Sequence, residues 1–258
     1  FSSSTQATQT NDYGISKRLA ETSIENYSKL SGNSAAIYRL PGVFGKWCKP
    51  NYNSVVATFC YNTAHGLTIR VDDPDYLIKL VYVDDVINSF VEWLRGPFPS
   101  GVSRTSIDPE YEVRLGELAK VIEEFPNSRK SLISERVGTG FLRALYSTYV
   151  SYLPPSKFKY TIPCHVDDRG LFVEMLKTKD SGQFSFFTAH PGITRGGHYH
   201  HTKTEKFLVI TGSARFRFRH ILTDETFCVE TSGKTPTIVE TIPGWSHDIT
   251  NNGSDELI

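Results

Sequence analysis

The stretch that decides the fold of the C-terminal region is Gly192-Ile193-Thr194-Arg195-Gly196-Gly197-His198-Tyr199-His200-His201-Thr202-Lys203-Thr204-Glu205. A glycine is followed after five residues by His-x-His, after four more by glutamate, and after six more by a second glycine. Alternation along a β-strand places His198 and His200 on the same face. A turn over residues 202–204 then brings Glu205 back on a neighbouring strand. The spacing predicts short strands that bring two imidazoles and one carboxylate together.

A second motif, Pro243-Gly244-Trp245-Ser246-His247, adds an imidazole at the predicted start of another strand. Neutral imidazoles with one carboxylate, and a coordination position left open, suit Zn²⁺ or a similar divalent ion. The predicted ligands are therefore His198, His200, Glu205 and His247. His201 points to the other face of the strand and is the least suitable ligand of the histidines in this segment.

Both motifs resemble those of the cupin family, whose members are metal-binding β-barrels of the jelly-roll type. In the second motif the proline is next to the glycine, one place later than usual. The resemblance implies a cupin domain over residues 156–258, cut short at its C-terminus. The ion could take part in catalysis or only hold the barrel together, and the motifs do not decide between these roles.

Composition and charge exclude several classes of protein. The formal net charge of the 258 residues is zero, so no basic field is present to hold nucleic acid. No apolar run approaches the roughly 20 residues that a membrane-spanning helix needs. The four cysteines are far apart and form no C-x-x-C pair, which favours reduced thiols and a cytoplasmic location.

The ends of the sequence predict an internal fragment of a longer protein. The chain begins Phe1-Ser2-Ser3-Ser4, within an expected strand and without an initiator methionine. It stops at Asp255-Glu256-Leu257-Ile258, where a further barrel strand is expected.

Upstream of about Tyr146, helical and extended patterns alternate, which predicts an α/β region. The expected helices cover residues 13–31, ended by Gly32, then 53–65 and 86–95, and the expected strands cover 35–38, 67–71 and 77–82. The apolar positions of the first helix form one stripe: Ile15, Leu19, Tyr27 and Leu30. A linker is predicted at Leu153-Pro154-Pro155-Ser156, and beyond it an all-β region that includes a strand at 214–219. The predicted domains are residues 1–150 and 156–258.

Tyr13 and Lys17 lie four residues apart at the start of the first predicted helix, so their side chains share a face. The nearby ammonium favours the phenolate form of the tyrosine. Such a tyrosine suits a general acid for a carbonyl being reduced, or a base for an alcohol being oxidised. A hydroxyl must hold the same substrate oxygen, and Ser4 is the candidate by register, with Thr5 as a substitute.

The set Phe-Ser-Ser-Ser from residue 1, Asp-Tyr-Gly-Ile-Ser-Lys from 12, Tyr-Arg-Leu-Pro-Gly from 38 and Tyr-Val-Asp-Asp from 82 resembles the extended short-chain dehydrogenase/reductases that act on sugar nucleotides. The resemblance implies a Rossmann-like domain in which Ser4, Tyr13 and Lys17 are catalytic. It also implies that Tyr13, Lys17, Arg39 and Gly42 contact the nicotinamide cofactor. The glycine-rich phosphate loop of that family is absent, so the fragment alone is not expected to act as a reductase. The family often has asparagine where Gly42 stands.

The segment from Lys46 to Asn53 combines cations, aromatic rings and amides. Lys49, Asn51 and Asn53 are predicted to contact a uridine diphosphate group, and a plain surface loop is an equally good interpretation of the segment.

A reductase-like region followed by a cupin-like region resembles the CapF-like bifunctional enzymes of capsular polysaccharide biosynthesis. Three further stretches carry the same resemblance, beginning at Ser2, running from Phe44 to Ser54, and beginning at Tyr146. The resemblance implies that the cupin epimerises C3 of a UDP-linked 4-keto-6-deoxy-N-acetylhexosamine. The reductase domain then reduces the C4 ketone with NADPH, toward the precursor of UDP-N-acetyl-L-fucosamine. It also implies a homodimer.

Several roles in the C-terminal region stay open. His201 is the first candidate for the epimerisation base, with Tyr199 and Lys206 as alternatives. The arginines at 215, 217 and 219 alternate along one strand and would either clamp a diphosphate or form a solvated face, and the solvated face is favoured. The alternative function is a single-function reductase whose metal-bound cupin only dimerises the chain.

Overall fold

The computed structural model describes residues 1–258, which divide into two compact units, Phe1–Tyr160 and Thr161–Ile258. None of the helices combines the length and the apolar character needed to span a membrane.

The first unit is built of seven strands and six α-helices. Its strands are β1 Ser2–Ser4, β2 Ala35–Leu40, β3 Gly42–Phe44, β4 Leu77–Tyr82, β5 Val102–Thr105, β6 Tyr111–Arg114 and β7 Ile133–Ser134. Its helices are α1 Asp12–Ser31, α2 Val55–His65, α3 Val83–Leu94, α4 Leu115–Glu124, α5 Ser128–Ser131 and α6 Gly140–Ser151. Strands β1, β2 and β5 form a parallel sheet in that order. A second sheet pairs β3 with β4 in parallel and β4 with β6 antiparallel.

Helix α1 begins at Asp12, one residue earlier than predicted, and ends at Ser31 as predicted. The Asn11 side chain accepts a hydrogen bond from the backbone N–H of Gly14 at 2.7 Å, which satisfies one of the free donors of the first turn. Gly32 ends the helix in the left-handed conformation, with φ of 73°, where glycine carries no steric cost. The predicted apolar stripe of α1, however, is solvent-exposed in this chain at all four positions.

The main core of the first unit lies where α2, α4 and α6 pack on β3 and β4. Phe44, Phe59, Leu118, Ile122 and Leu145 are all buried there. A smaller core joins β2 to α3. Burial of these apolar side chains is the main stabilising term of the unit.

Several of the remaining predictions differ from the structure: helix α2 begins at Val55, two residues later than predicted, and strand β2 extends two residues further, to Leu40. The predicted strand at 67–71 is irregular and has no strand partner. Helix α3 begins at Val83, three residues earlier than predicted, and includes Asp84 and Asp85 in its first turn, where carboxylates interact favourably with the helix dipole.

The second unit consists of strands and turns. Its strands are β8 His165–Asp167, β9 Gly170–Thr178, β10 Gln183–Phe187, β11 Thr194–His198, β12 Lys206–Leu208, β13 Ser213–His220, β14 Thr226–Ser232, β15 Ile238–Glu240 and β16 Trp245–Asn251. Strand β9 pairs antiparallel with both β8 and β10. An antiparallel sheet has the order β11-β16-β13-β14, and β12 pairs with β15.

Strand β13 shows why this unit folds as it does. Ala214, Phe216 and Phe218 are buried and alternate with three exposed arginines. Each arginine forms an ion pair at the surface: Arg215 with Glu230, Arg217 with Asp248, and Arg219 with Asp224. The arginine row is thus the solvated face that the alternation favoured.

A β-bulge interrupts β11 beside β16. Gly196 is opposite Asp248 and His198 is opposite His247, so Gly197 has no partner residue. Gly197 has φ of 84°, a left-handed conformation that glycine adopts readily. The bulge therefore sets the register that places His198 beside His247.

Candidate metal centre and candidate reductase site

The four residues predicted to bind a metal lie together in the second unit. His198 ends β11, His200 follows it, Glu205 directly precedes β12, and His247 is on β16. One donor atom from each of the four lies within 4.8 Å of the others. His247 is buried whereas His198 is exposed, so the cluster opens to solvent on the His198 side.

The Glu205 carboxylate is central to this cluster. Its Oε2 atom lies 3.3 Å from His200 Nε2 and 3.2 Å from His247 Nε2. The other oxygen, Oε1, accepts a hydrogen bond from Lys203 Nζ at 2.6 Å. The imidazole rings also contact one another, with 4.9 Å between the centres of His198 and His200 and 5.0 Å between those of His198 and His247.

The electrostatics of the cluster favour the metal-binding protonation states. Burial raises the pKa of Glu205, but the hydrogen bond from Lys203 and the charges of Lys203, His200 and His247 outweigh it, so the pKa is lowered overall. Burial also lowers the pKa of His247, and the neighbouring His198 and His200 act in the same direction. An ionised carboxylate and a neutral imidazole are the forms that ligate a divalent ion.

The donor separations fit a four-coordinate ion. Imidazole nitrogen and carboxylate oxygen bind Zn²⁺ at about 2.0–2.2 Å, so donors at tetrahedral corners are about 3.4 Å apart. The observed 3.3 Å and 3.2 Å separations from Glu205 Oε2 are close to that spacing. Three imidazoles and a carboxylate could hold a zinc-like ion here after only small side-chain adjustments.

The candidate bases lie close to this cluster in sequence. The rings of Tyr199 and His201 contact each other, with their centres 5.2 Å apart, and both residues are exposed. The Lys206 ammonium forms an ion pair with Glu240. No ring contact joins Tyr199 or His201 to the four donor residues, so their predicted role as bases stays a prediction.

In the first unit, Tyr13 and Lys17 project together from the start of α1. Lys17 Nζ lies 5.6 Å from the centre of the Tyr13 ring and donates a hydrogen bond to the backbone oxygen of Ser2 on β1 at 3.3 Å. The Ser4 hydroxyl is nearly buried and accepts a hydrogen bond from the Gln6 N–H at 3.2 Å. The structure thus brings Tyr13 and Lys17 together, and Lys17 contacts the first residue of β1.

Arg39, predicted to contact the cofactor, has another partner in this structure. Its guanidinium forms a two-point ion pair with the buried Glu21 of α1, 2.6 Å at its shortest. The Ser3 hydroxyl donates to the same carboxylate. The hydrogen bond from Arg39 is the main reason that the pKa of Glu21 is lowered, against the opposing effect of burial. Arg39 therefore joins β2 to α1, and its predicted contact with the cofactor stays a prediction.

The residues predicted to contact nucleotide or cofactor separate into two groups. Gly42 and Asn53 line a cleft of about 550 Å³ in the first unit, together with Thr5 and Lys79. Lys49 and Asn51 are exposed and do not line it. Of the two hydroxyl candidates, Thr5 lines this cleft whereas Ser4 does not.

Two family models match the chain, one in each unit. Residues 1–102 match the NAD dependent epimerase/dehydratase family, and residues 165–258 match the Polysaccharide biosynthesis C-terminal domain. The chain is 55% identical over all of its 258 residues to a Pseudomonas aeruginosa protein named UDP-2-acetamido-2,6-beta-L-arabino-hexul-4-ose reductase, and covers 69% of that protein. The chain belongs to the family of that reductase.

Solved structures agree with this family. The chain is similar to the capsular polysaccharide assembling protein CapF of Staphylococcus aureus, with 43% identity, a TM-score of 0.93, and coverage of 100% of this chain and 70% of CapF. A crystal structure of CapF with the inhibitor 3-isopropenyl-tropolone has 41% identity and a TM-score of 0.83, covering 92% of this chain and 68% of the other. The first unit is thus a Rossmann-like domain of the epimerase/dehydratase type, and the second is a sheet-rich C-terminal domain of this reductase family.

Three residues of this reductase-family chain were not identified from the sequence. Lys203 and Thr241 contact Glu205, and Glu21 holds Arg39. Thr241 and Glu21 meet their partners only through long-range contacts, which no local spacing rule describes. Lys203 lies within the first motif, where its spacing to Glu205 could have suggested a contact.

Proposed function

We propose that the chain is a sugar-nucleotide-modifying enzyme of capsular polysaccharide or O-antigen biosynthesis. Its substrate is a UDP-linked 4-keto-6-deoxy-N-acetylhexosamine. The second unit, as a cupin, epimerises C3, and the first unit supplies the Tyr13 and Lys17 side chains for reduction of the C4 ketone with NADPH toward the precursor of UDP-N-acetyl-L-fucosamine. The name of the reductase relative supports the substrate class, and the four-donor cluster is the observation that carries the assignment of epimerisation to the second unit.

Epimerisation at C3 requires removal of a hydrogen next to a ketone and stabilisation of the resulting enolate. His198, His200, Glu205 and His247 would hold a zinc-like ion, which when bound supplies a Lewis acid for the ketone oxygen. The exposed edge at His198 leaves room for the sugar. His201 is the proposed base; Tyr199, in contact with its ring, is the alternative, and Lys206 is engaged by Glu240.

Reduction at C4 requires a hydride at the carbon and a proton at the oxygen. Tyr13 would donate the proton, and bound NADPH would supply the hydride. Lys17, close to the Tyr13 ring, stabilises the phenolate that remains. Ser4 or Thr5 would hold the ketone oxygen. Gly42 and Asn53 are proposed nucleotide or cofactor contacts because they share the 550 Å³ cleft, whereas Lys49 and Asn51 rest on the resemblance alone.

The inhibitor in a crystal structure of the CapF relative, 3-isopropenyl-tropolone, belongs to a chemical class that binds metal ions. Tropolones carry adjacent ketone and hydroxyl oxygens, which chelate divalent ions. An ion held by the four side chains would accept such an oxygen, or the ketone of the substrate, by expanding to five-coordinate, as catalytic zinc sometimes does. The proposal further includes a homodimer and a cytoplasmic location, the first from the family resemblance and the second from the unpaired cysteines.

Hydrogen exchange with solvent tests the epimerase assignment. The Zn²⁺-loaded chain is incubated with the UDP-4-keto-6-deoxy sugar in heavy water without NADPH, and deuterium at C3 is measured by NMR. We expect incorporation by the parent chain and its loss in His198→Ala. His201→Asn should slow it by about 100-fold if His201 is the base.

The matched control is His190→Ala, which removes an exposed histidine outside the cluster and should leave the exchange rate unchanged. Circular dichroism verifies that each variant is folded. Absence of C3 exchange in the metal-loaded parent would contradict the epimerase assignment and favour a C-terminal unit that only binds metal and dimerises the chain.

A further inference from the structure

The two oxygens of the Glu205 carboxylate have separate partners. Oε2 faces the imidazoles of His200 and His247 at 3.3 Å and 3.2 Å. Oε1 is held by Lys203 Nζ at 2.6 Å. One oxygen is thus directed to the donor cluster, and the other is directed to an ammonium group outside it.

The backbone of Glu205 is also fixed. Its N–H donates to Thr241 Oγ1 at 3.0 Å, and its carbonyl oxygen accepts from the Thr241 N–H at 2.9 Å. Thr241 is only 2% exposed, so this pair of bonds is shielded from water. Because the backbone is held, only side-chain rotation could bring Oε1 toward the cluster, and the bond from Lys203 opposes that rotation.

We propose that Lys203 is a positioning residue that restricts Glu205 to a single ligand oxygen and thereby selects for a four-coordinate ion. The inference rests on the metal centre of the proposed function. Carboxylates bind cations through one oxygen or two. With one oxygen, the cluster offers three nitrogens and one oxygen, the donor set of tetrahedral Zn²⁺. With two, it offers five donors and approaches the environment of ions such as Mn²⁺.

Removal of Lys203 has two effects that a suitable measurement can separate. Loss of the positive charge raises the affinity for every divalent cation by a similar factor. Release of Oε1 raises the affinity for Mn²⁺ relative to Zn²⁺. The ratio of the two affinities therefore isolates the positioning effect, because the charge effect cancels in it.

The chain offers a closely matched control in Lys206, which forms an ion pair with Glu240 and not with a metal ligand. Lys206→Met removes an equal charge one residue from Glu205 and leaves Oε1 held. Lys203→Arg retains a cation that can donate to Oε1. Lys203 is largely exposed, with 57% of its side chain accessible, and such ion pairs contribute little to folding, so Lys203→Met should fold.

The experiment uses the metal-free chain and its three variants. Zn²⁺ and Mn²⁺ affinities are measured by competition with a chromophoric chelator, and bound Co²⁺ is examined by visible absorption, which is strong for four-coordinate and weak for higher-coordinate cobalt. We expect Lys203→Met to raise the Mn²⁺/Zn²⁺ affinity ratio about 10-fold, the size typical of a lost contact to a metal ligand. Its cobalt absorption should fall, while Lys203→Arg and Lys206→Met match the parent.

Two results would overturn the inference alone: a Lys203→Met variant with the parent's affinity ratio and cobalt spectrum, or an equal change in Lys206→Met. A parent chain that binds neither Zn²⁺ nor Co²⁺ would instead overturn the metal centre and this inference with it. The C3 exchange experiment does not depend on the affinity ratio, so the two failures are distinguishable.

Discussion

Glu21 is a buried carboxylate that joins three elements of the first unit. It receives hydrogen bonds from Arg39 on β2 and from Ser3 on β1, and it lies on α1 one turn beyond Lys17. A carboxylate removed from water is costly unless it is paired and hydrogen-bonded. This pairing therefore determines how the helix face that carries Tyr13 and Lys17 lies against β1.

We expect Glu21→Gln to lower the free energy of unfolding by about 2 kcal/mol at pH 7. This is less than the roughly 3–5 kcal/mol for breaking a fully buried pair, because 34% of the Arg39 side chain reaches solvent. Urea denaturation followed by circular dichroism measures the change. Glu25→Gln, on the same helix as Glu21, removes the more exposed ion pair between Glu25 and Arg104 of β5 and should change stability by less than about 0.5 kcal/mol. Equal effects of the two substitutions would contradict this account.

The same pair predicts a pH dependence. The folded-state pKa of Glu21 is lowered, chiefly by the Arg39 hydrogen bond, below the value of about 4.3 expected in the unfolded chain. Its contribution is then fully present above about pH 4.3 and is lost as the pH falls through the folded-state pKa. The difference in unfolding free energy between parent and Glu21→Gln should therefore be constant above about pH 4.3, shrink as the pH falls below that value, and approach zero once the pH is below the folded-state pKa. A difference that stays constant as the pH falls below that value would exclude the ionised pair as its cause.

The position of a site residue could be predicted from the sequence where its residue type occurs in a short motif with fixed spacing. The structure brings together the four candidate ligands that two short motifs indicated. The predicted contact of Arg39 with the cofactor stays a prediction, because the family resemblance gives a residue type and not its partners. Its ion pair with Glu21 joins residues 18 apart in sequence, which depends on how α1 packs on the sheet.

At the scale of elements, the start of α1 is unusually crowded. A Cβ atom on Gly14 would lie 2.3 Å from the backbone oxygen of Gln6 and 2.9 Å from that of Gln9. Glycine is thus required where α1 packs on the preceding turn. Any side chain would push the helix start, including Tyr13, away from that turn.

We expect Gly14→Ala to destabilise the chain by about 2 kcal/mol, as overpacking does, although alanine is intrinsically the better helix former. Gly138→Ala is the matched control, since no atom lies within 4 Å of its added Cβ and its φ is not positive. Thermal unfolding of both variants measures the effect. A Gly14→Ala variant as stable as the Gly138→Ala variant would show that the turn before α1 yields easily.

Elements were predictable to the extent that local pattern determines them. Helix α1 has a helical periodicity and a glycine at its C-terminus, and strand β13 has strict alternation of apolar and charged residues. Both form close to where they are expected. Residues 67–71 have the composition of a strand, but strand preference depends on an available partner, and no strand pairs with them. The apolar stripe correctly predicted that α1 is a helix. Whether the stripe is buried or exposed depends on tertiary structure, which the periodicity of the sequence does not determine.

At the scale of the whole molecule, the two compact units assign the two candidate chemistries to separate parts of the chain. The change in residue pattern after about Tyr146 predicted two regions, and the units divide after Tyr160. The four candidate ligands come from β11, β16 and the segments beside β11 and β12. Metal binding should therefore stabilise the second unit directly.

We expect Zn²⁺ to slow backbone hydrogen exchange in residues 194–251 and not in the first unit. An ion that binds only the folded state at 100 times its dissociation constant stabilises that state by about 2.7 kcal/mol. Hydrogen–deuterium exchange mass spectrometry resolves the two units. His247→Ala should abolish the protection, while His65→Ala, in the first unit, should retain it. Equal protection of both units would contradict a metal centre confined to the second.

The bulge at Gly197 gives this segment an unusual dependence on chain length. Gly197 is the one extra residue of β11 and has no residue opposite it, so its loss would leave His198 opposite His247 and only straighten the strand. One residue inserted between His198 and His200 would do far more harm, because strand alternation would then place the two imidazoles on opposite faces. The composition of the motif would hardly change while its chemistry was lost. Beyond the bulge a single-residue insertion is thus a more severe lesion than most substitutions, and an alignment that absorbs it in a gap would hide the difference.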